Sequence, residues 1–180
     1  MHEHVHGFFA GHDSRVHSFD RGPVQRVLPG FHVIEIDPGA KHGLFTYVSV
    51  GAGFSDEPGQ SSLEFLVAAE QPSARHVELL AMTAHYHRTG ERLDVGHTFP
   101  IGEPWLEGST LEHMLVSVPY PYGPDLEVME AGDYHVHILW LLPVTKAERD
   151  FVGAHGLEAL ESTFERAGLK YWKPKRRSVV

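Results

Sequence analysis

The fold is decided by residues 134–142, which read Tyr134-His135-Val136-His137-Ile138-Leu139-Trp140-Leu141-Leu142. Side chains of a β-strand alternate between two faces, and one face of this stretch carries Tyr134, Val136, Ile138, Trp140 and Leu142. The other face carries His135, His137, Leu139 and Leu141. A strand that is apolar on both faces at one end is typical of the middle of a sheet. The stretch therefore predicts a central strand.

Further regular structure is predicted on both sides of this strand. Alternating or β-branched apolar residues indicate strands at residues 31–36, 44–50, 63–69 and 112–118. A short helix is expected in the first dozen residues, and a longer one from Ser73 to Gly90. The inward face of the longer helix comprises Val77, Leu79, Leu80, Ala81, Met82, Ala84 and Tyr86. Another helix begins at a capping box of Thr145 and Glu148. These elements predict an α+β fold with a mixed, mostly antiparallel central sheet covered by helices.

Length and composition indicate a single domain over residues 1–180. The chain is 42% hydrophobic and 22% charged, a globular composition. No apolar run is long enough to span a membrane, and no signal-peptide pattern is visible, so we expect a cytoplasmic protein. The absence of cysteine excludes disulfides, a thiolate nucleophile and cysteine-based zinc sites. The basic residues 170–177 are expected to form a mobile tail.

The charge of the chain restricts its partners. It has 24 Asp and Glu residues against 15 Lys and Arg residues, a formal net charge of −9. This balance argues against a nucleic-acid-binding surface and favours a basic partner. Neither a membrane partner nor a cofactor is expected.

Residues 93–104 form the most patterned loop: Leu93-Asp94-Val95-Gly96-His97-Thr98-Phe99-Pro100-Ile101-Gly102-Glu103-Pro104. Other ordered motifs are Thr46-Tyr47-Val48-Ser49-Val50-Gly51, Ser55-Asp56, Leu63-Glu64-Phe65 and Leu141-Leu142-Pro143-Val144. In this order they resemble the Suppressor of fused (SUFU) domain family, over roughly residues 15–166. Each motif is weak alone, and their order along one chain makes the resemblance strong.

The resemblance implies a SUFU-like domain that binds proteins and is not an enzyme. Animal members of the family grip an extended peptide, and some bacterial members are immunity proteins against toxins. In the animal proteins a tyrosine at the end of the long helix and an aspartate after the next loop glycine hold that peptide. Tyr86 matches the tyrosine, whereas His97 stands at the position of the aspartate.

These considerations predict a partner-binding groove. Its residues are expected to be Tyr86, Gly96, His97, Thr98, Phe99, Trp105, Tyr120 and Tyr122. Aromatic residues in loops offer rigid anchors to a partner, although they also plug the edges of cores. We expect an exposed strand edge or an aromatic-lined cleft to take an extended peptide or another protein.

A metal-dependent hydrolase is the alternative function. His135 and His137 lie two apart on one strand face, about 6.6 Å from each other by strand rise, and His97 is a further candidate ligand. A triad of Asp94, His97 and Ser109 or Thr110 is a second catalytic option. Since the sequence contains no nucleophile elbow, phosphate loop or dinucleotide fingerprint, we assign no catalytic residue.

Overall fold

The structure is a computed structural model that describes residues 1–53, 62–132 and 134–180. The helices are α1 (His2–Phe8), α2 (Pro23–Val27), α3 (Ala74–Thr89), α4 (Pro124–Glu127), α5 (Lys146–His155) and α6 (Leu157–Ala167). The strands are β1 (Ser14–Ser18), β2 (His32–Ile36), β3 (Phe45–Val50), β4 (Ser62–Ala69), β5 (Thr98–Pro100), β6 (Leu111–Ser117), β7 (Val128–Ala131) and β8 (Tyr134–Thr145). The Ser55-Asp56 motif lies outside the described residues.

The strands follow the order β1-β2-β3-β4-β8-β6-β5, and β7 also pairs with β8. Neighbours from β1 to β4 are antiparallel, as are β5 with β6 and β7 with β8. β4 and β8 are parallel, with Leu66 opposite Trp140. The prediction of a mixed, mostly antiparallel sheet is confirmed, and so is the central position of β8.

Two compact units make up the chain. The first comprises Met1–Leu93 and Val118–Trp140, and the second comprises Asp94–Ser117 and Leu141–Val180. β8 contributes residues to both units. The prediction of one domain over residues 1–180 stays a prediction. Among the helices in the described part of the chain, none combines the length and the apolar content that crossing a bilayer requires.

In the first unit, β3 and β4 are joined through a buried carboxylate. Glu64 accepts hydrogen bonds from the hydroxyl of Ser49 and from the backbone N–H groups of Gly51 (2.6 Å) and Ala52 (3.1 Å). Burial raises the pKa of Glu64, and these hydrogen bonds oppose the rise. The carboxylate therefore anchors the turn after β3, which carries a glycine with φ +93° at position 51.

In the second unit, the predicted capping box is present. The hydroxyl oxygen of Thr145 accepts a hydrogen bond from the backbone N–H of Glu148 (3.2 Å). In return, the carboxylate of Glu148 accepts one from the backbone N–H of Thr145 (2.9 Å). β8 extends up to this cap and includes the Pro143-Val144 pair that the sequence places after the strand. The predicted single helix is two helices, because Gly156 with φ +84° separates α5 from α6.

The structure corrects the expectation of a mobile basic tail. The side chain of Arg176 is 6% exposed, and it pairs with Glu148, whose side chain is 0% exposed. The basic composition of the tail predicts that it lies in solvent. The buried carboxylate of Glu148 on α5 instead binds the guanidinium of Arg176.

Candidate functional site

Helix α3 is enclosed by the first unit on most of its circumference. Ser73 caps it by accepting from the backbone N–H of Arg75 (3.2 Å), and Gly90 follows its last turn. Its buried positions are His76, Val77, Leu79, Leu80, Ala81, Thr83, Ala84 and His87. The helix packs on β2, β3, β4 and α2. A helix enclosed in this way has room for only a narrow solvent face.

That solvent face contains two large apolar side chains. Glu78, Met82 and Tyr86 are exposed and follow each other at a spacing of four residues, so they form one stripe along the helix. We call these three residues the α3 stripe. Met82 and Tyr86 are each 39% exposed. The sequence places both on the inward face, and the structure corrects this: eight other positions already fill that face.

Polar groups lie at both ends of the α3 stripe. A guanidinium nitrogen of Arg75 lies 3.8 Å from the carboxylate of Glu78, whose side chain is 65% exposed. At the other end of the stripe, Thr89 donates to the backbone carbonyl of His85 (2.8 Å). An apolar centre with a polar rim is the usual anatomy of a protein-binding surface.

His87, near the end of α3, serves the packing of the helix. His87 is buried, accepts from the backbone N–H of Leu93 at Nδ1 (2.9 Å) and meets the ring of Phe65 edge-on. Desolvation lowers its pKa, and the neighbouring charges of Arg92 and Arg88 lower it further. The negative end of a helix dipole favours a protonated imidazole, and burial overrides that effect at His87.

The loop after α3 is closed by its own hydrogen bonds. Nδ1 of His97 accepts from the backbone N–H of Asp94 (3.2 Å), and the Asp94 carboxylate accepts from that of Val95 (2.7 Å). Gly96 adopts φ +87° and donates to Val116 (2.8 Å). Glycine and histidine therefore shape this turn. The side chain of His97 remains exposed, and Thr98 is half-buried.

These hydrogen bonds also bear on the proposed triad. The Asp94 carboxylate contacts a backbone N–H, and the imidazole of His97 accepts from the backbone of Asp94 instead of bonding its carboxylate. The hydroxyl of Ser109 donates to the carbonyl of Pro174. The geometry of a nucleophile, base and orienting acid is therefore not formed by these residues.

The predicted aromatic anchors differ in exposure. Tyr120 is 63% exposed, and Tyr122 is 8% exposed with its hydroxyl 2.8 Å from that of Thr46. Phe99 is 7% exposed, and Trp105 is fully buried. Tyr86, His97 and Tyr120 are therefore the predicted partner-binding residues with substantial exposed surface, and their role in binding stays a prediction.

The alternative metal site does not form among the described residues. Nδ1 of His135 lies 2.6 Å from the carboxylate of Glu130, which faces it across the β7–β8 pair. Throughout the described parts of the chain, no three His, Asp or Glu side chains are grouped to hold a metal ion. His135 and His137 belong to the first unit, and His97 belongs to the second. The metal-dependent hydrolase has no support from this arrangement.

Met82 is the exposed residue that the sequence analysis missed. The sequence contains an indication of this exposure, because the apolar positions of α3 cover more of the helix than one inward face needs. Residues 78, 82 and 86, with Ala74 one turn before them, then form a continuous i, i+4 row for solvent.

Comparisons with known proteins identify close and distant relatives. A family model described as Suppressor of fused protein (SUFU) matches residues 28–177. The crystal structure of a protein described as a SUFU homologue from Neisseria gonorrhoeae FA 1090 is 35% identical, with a TM-score of 0.86, and the match covers 99% of this chain and 93% of that one. No curated protein sequence matches.

Two further structures share the fold at low identity. The structure of the Sufu–Fu complex contains a chain that is 14% identical, with a TM-score of 0.74 and coverage of 98% of this chain and 89% of that one. Drosophila Suppressor of Fused is 13% identical with the same TM-score, and the match covers 98% of this chain but 50% of the fly protein. This chain therefore spans about half the length of the fly protein.

Proposed function

The chain belongs to the Suppressor of fused family, and from this premise we propose that it is a protein-binding module without enzymatic activity. The α3 stripe is the centre of its binding surface. The observation that carries the proposal is the exposure of Met82 and Tyr86 on a helix whose remaining face is buried. Exposed apolar side chains at neighbouring positions are favourable anchors for a partner.

The relatives support the class of function. One relative of the same fold has been crystallised in the Sufu–Fu complex, as a protein with a bound partner. At 14% identity, the similarity to that chain shows a shared fold. Protein binding by the present chain is our proposal. Methionine suits such a surface because its flexible, polarisable side chain adapts to the shape of a partner.

The chemistry of the partner follows from charge. The net charge of −9 favours a basic protein or a basic extended peptide, since opposite charges accelerate encounter. More specifically, we propose that the chain is an immunity-type protein that sequesters a toxin in the cytoplasm. The acidic balance and the membership in the family support that form.

The experiment begins with purified full-length chain as bait in a native extract, followed by affinity measurements on any stoichiometric partner. A double Met82→Ala, Tyr86→Ala variant should bind at least about 30-fold more weakly, because central anchors of an interface contribute about 2 kcal/mol or more. Tyr120→Ala is measured in parallel to test whether that exposed tyrosine belongs to the same interface.

Val16→Ala is the matched control for the double variant. Val16 is 50% exposed on β1, so its truncation also removes exposed apolar surface from the first unit. The control should retain wild-type affinity. Unchanged binding by the double variant, or an equal loss in the control, would contradict the assignment of the α3 stripe.

A further inference from the structure

The last residues of the chain lie against the second unit in an alternating pattern. Lys173, Lys175 and Arg177 are exposed, whereas Pro174, Arg176 and Ser178, which alternate with them, are less exposed. We call residues 174–180 the terminal segment. It contains no helix or strand. It begins with a turn, in which the backbone N–H of Arg176 donates to the carbonyl of Lys173 (3.3 Å). Alternate side chains of the segment face the unit, as those of a bound peptide do.

One side chain of the terminal segment makes most of the strong contacts. The guanidinium of Arg176 donates to both carboxylate oxygens of Glu148, at 2.6 and 2.7 Å, and to the backbone carbonyl of Pro143 at 2.8 Å. Its charged group lies 5.7 Å from the centre of the Phe164 ring. A planar guanidinium matches a carboxylate at two points, which a lysine cannot do.

The partner of this arginine is a preformed feature of the second unit. The side chain of Glu148 is fully buried, and its carboxylate is held by the backbone N–H of Thr145 within the capping box. A buried carboxylate needs a cation and hydrogen-bond donors to offset its desolvation. The site therefore fits an arginine from any chain that can reach it.

Side chains of the unit hold the rest of the terminal segment. The hydroxyl of Ser109 donates to the carbonyl of Pro174, and Thr145 donates to the hydroxyl of Ser178 (3.1 Å). The backbone N–H of Val179 donates to Glu148 (3.1 Å). Each of these contacts uses a side chain of the unit, so a segment of another chain that supplies the same groups can replace the terminal segment without breaking backbone hydrogen bonds of the unit.

We propose that the terminal segment occupies a peptide-binding site of the second unit, and that a basic segment of a protein partner replaces it, placing an arginine on Glu148. The site selects a basic segment because its buried carboxylate, Glu148, takes the guanidinium of Arg176. This second site is independent of the α3 stripe, and its occupant in the free protein is the chain itself.

The test uses a labelled synthetic peptide of residues 170–180 and full-length protein, with binding followed by fluorescence anisotropy. Wild-type protein should bind the peptide weakly, because its own segment is present at a high effective concentration. Arg176→Ala protein should bind it at least about 10-fold more tightly, since the internal competitor has lost its guanidinium. Equal affinities for the two proteins would overturn the proposal.

Two matched controls isolate the arginine. Arg177→Ala protein loses an exposed arginine one residue away and should bind the peptide as weakly as wild type does. A peptide with alanine in place of its first arginine should lose its preference for the Arg176→Ala protein. Binding that does not depend on this arginine would show non-specific attraction of a basic peptide to an acidic protein and would overturn the proposal.

A second measurement covers the case in which Arg176→Ala does not fold. Saturating peptide added to wild-type protein should accelerate hydrogen exchange at the amide of Val179, because the internal segment is displaced from Glu148. Unchanged exchange at saturation would overturn the proposal. The Met82→Ala, Tyr86→Ala protein should respond to the peptide as wild type does, which separates this site from the α3 stripe.

Discussion

In the first unit, α3 leaves Met82 and Tyr86 each 39% exposed, whereas in the second unit the side chains of Arg176 and Glu148 are 6% and 0% exposed. Each region departs from the usual relation between polarity and burial. The α3 stripe keeps apolar surface in contact with water, and the ion pair keeps two charges out of it. The difference teaches that local context decides burial: a full inward face excludes Met82, and a buried carboxylate retains Arg176.

The largest expected effect comes from breaking the ion pair. Arg176→Ala should lower the free energy of unfolding by about 3–5 kcal/mol, because it leaves the carboxylate of Glu148 buried without its cation. Denaturant unfolding measures this loss. Arg177→Ala is the control and should stay within about 0.5 kcal/mol of wild type. A loss of the same small size at both positions would mean that the terminal segment is not held by Arg176.

The buried face of α3 excludes charge, in contrast to the site of the Arg176–Glu148 ion pair. Desolvation lowers the pKa of His76 to about 4. Between pH 6.5 and 4 the unfolded chain binds a proton that the folded chain does not, so stability falls as the pH falls. This residue alone should make the free energy of unfolding about 2 kcal/mol lower at pH 5 than at pH 7.

Urea unfolding of wild-type and His76→Gln proteins at both pH values measures that contribution. The variant should lose part of the acid sensitivity, even if it is less stable at pH 7. The exposed His155 provides a control for the loss of one imidazole through His155→Gln. Identical pH dependence in wild type and the His76 variant would refute a buried neutral imidazole on α3.

The helix caps provide a third comparison of the two regions. Ser73→Ala should cost about 1 kcal/mol, the usual effect of removing an N-cap hydroxyl. Thr145→Ala should cost more, up to about 2 kcal/mol, because Thr145 also contacts Ser178 of the terminal segment. Thermal unfolding of both variants tests the order. A smaller loss at Thr145 would indicate that the contact with Ser178 adds nothing to the cap.

The smallest expected effect concerns the α3 stripe. Met82→Lys should raise stability slightly, by about 0.2–0.5 kcal/mol, because Lys at position 82 lies four residues after Glu78. It should also weaken partner binding, since a charge replaces an apolar anchor. Denaturant unfolding checks the first effect. A loss above about 1.5 kcal/mol would show that Met82 belongs to the core instead.

Much of the fold could be predicted from local patterns. Alternation places β8 at the centre of the sheet, and Ser73 and Gly90 mark the limits of α3. The edge strand β1 was missed, because its polar sequence has no apolar face. It is held instead by an ion pair of Arg15 (2.9 Å) and a hydrogen bond of His17 (2.7 Å) with Glu35 on β2.

The candidate sites depend on tertiary context that sequence patterns do not contain. Tyr86 was identified through the family resemblance. Met82 was placed on the inward face, although the apolar positions of α3 already exceed what one inward face needs. The capping role of Glu148 follows from its spacing to Thr145. Its contact with Arg176 joins residues 28 positions apart and could not be deduced from that spacing.

The double use of Glu148 also restricts how the protein can evolve. Its carboxylate serves the cap of α5 and the guanidinium of Arg176 at once. A protein that has lost one of the two residues keeps the charge of the other buried without its partner and is strongly destabilised. Positions 148 and 176 should therefore be inherited as a pair, and a descendant that abandons one should have abandoned both.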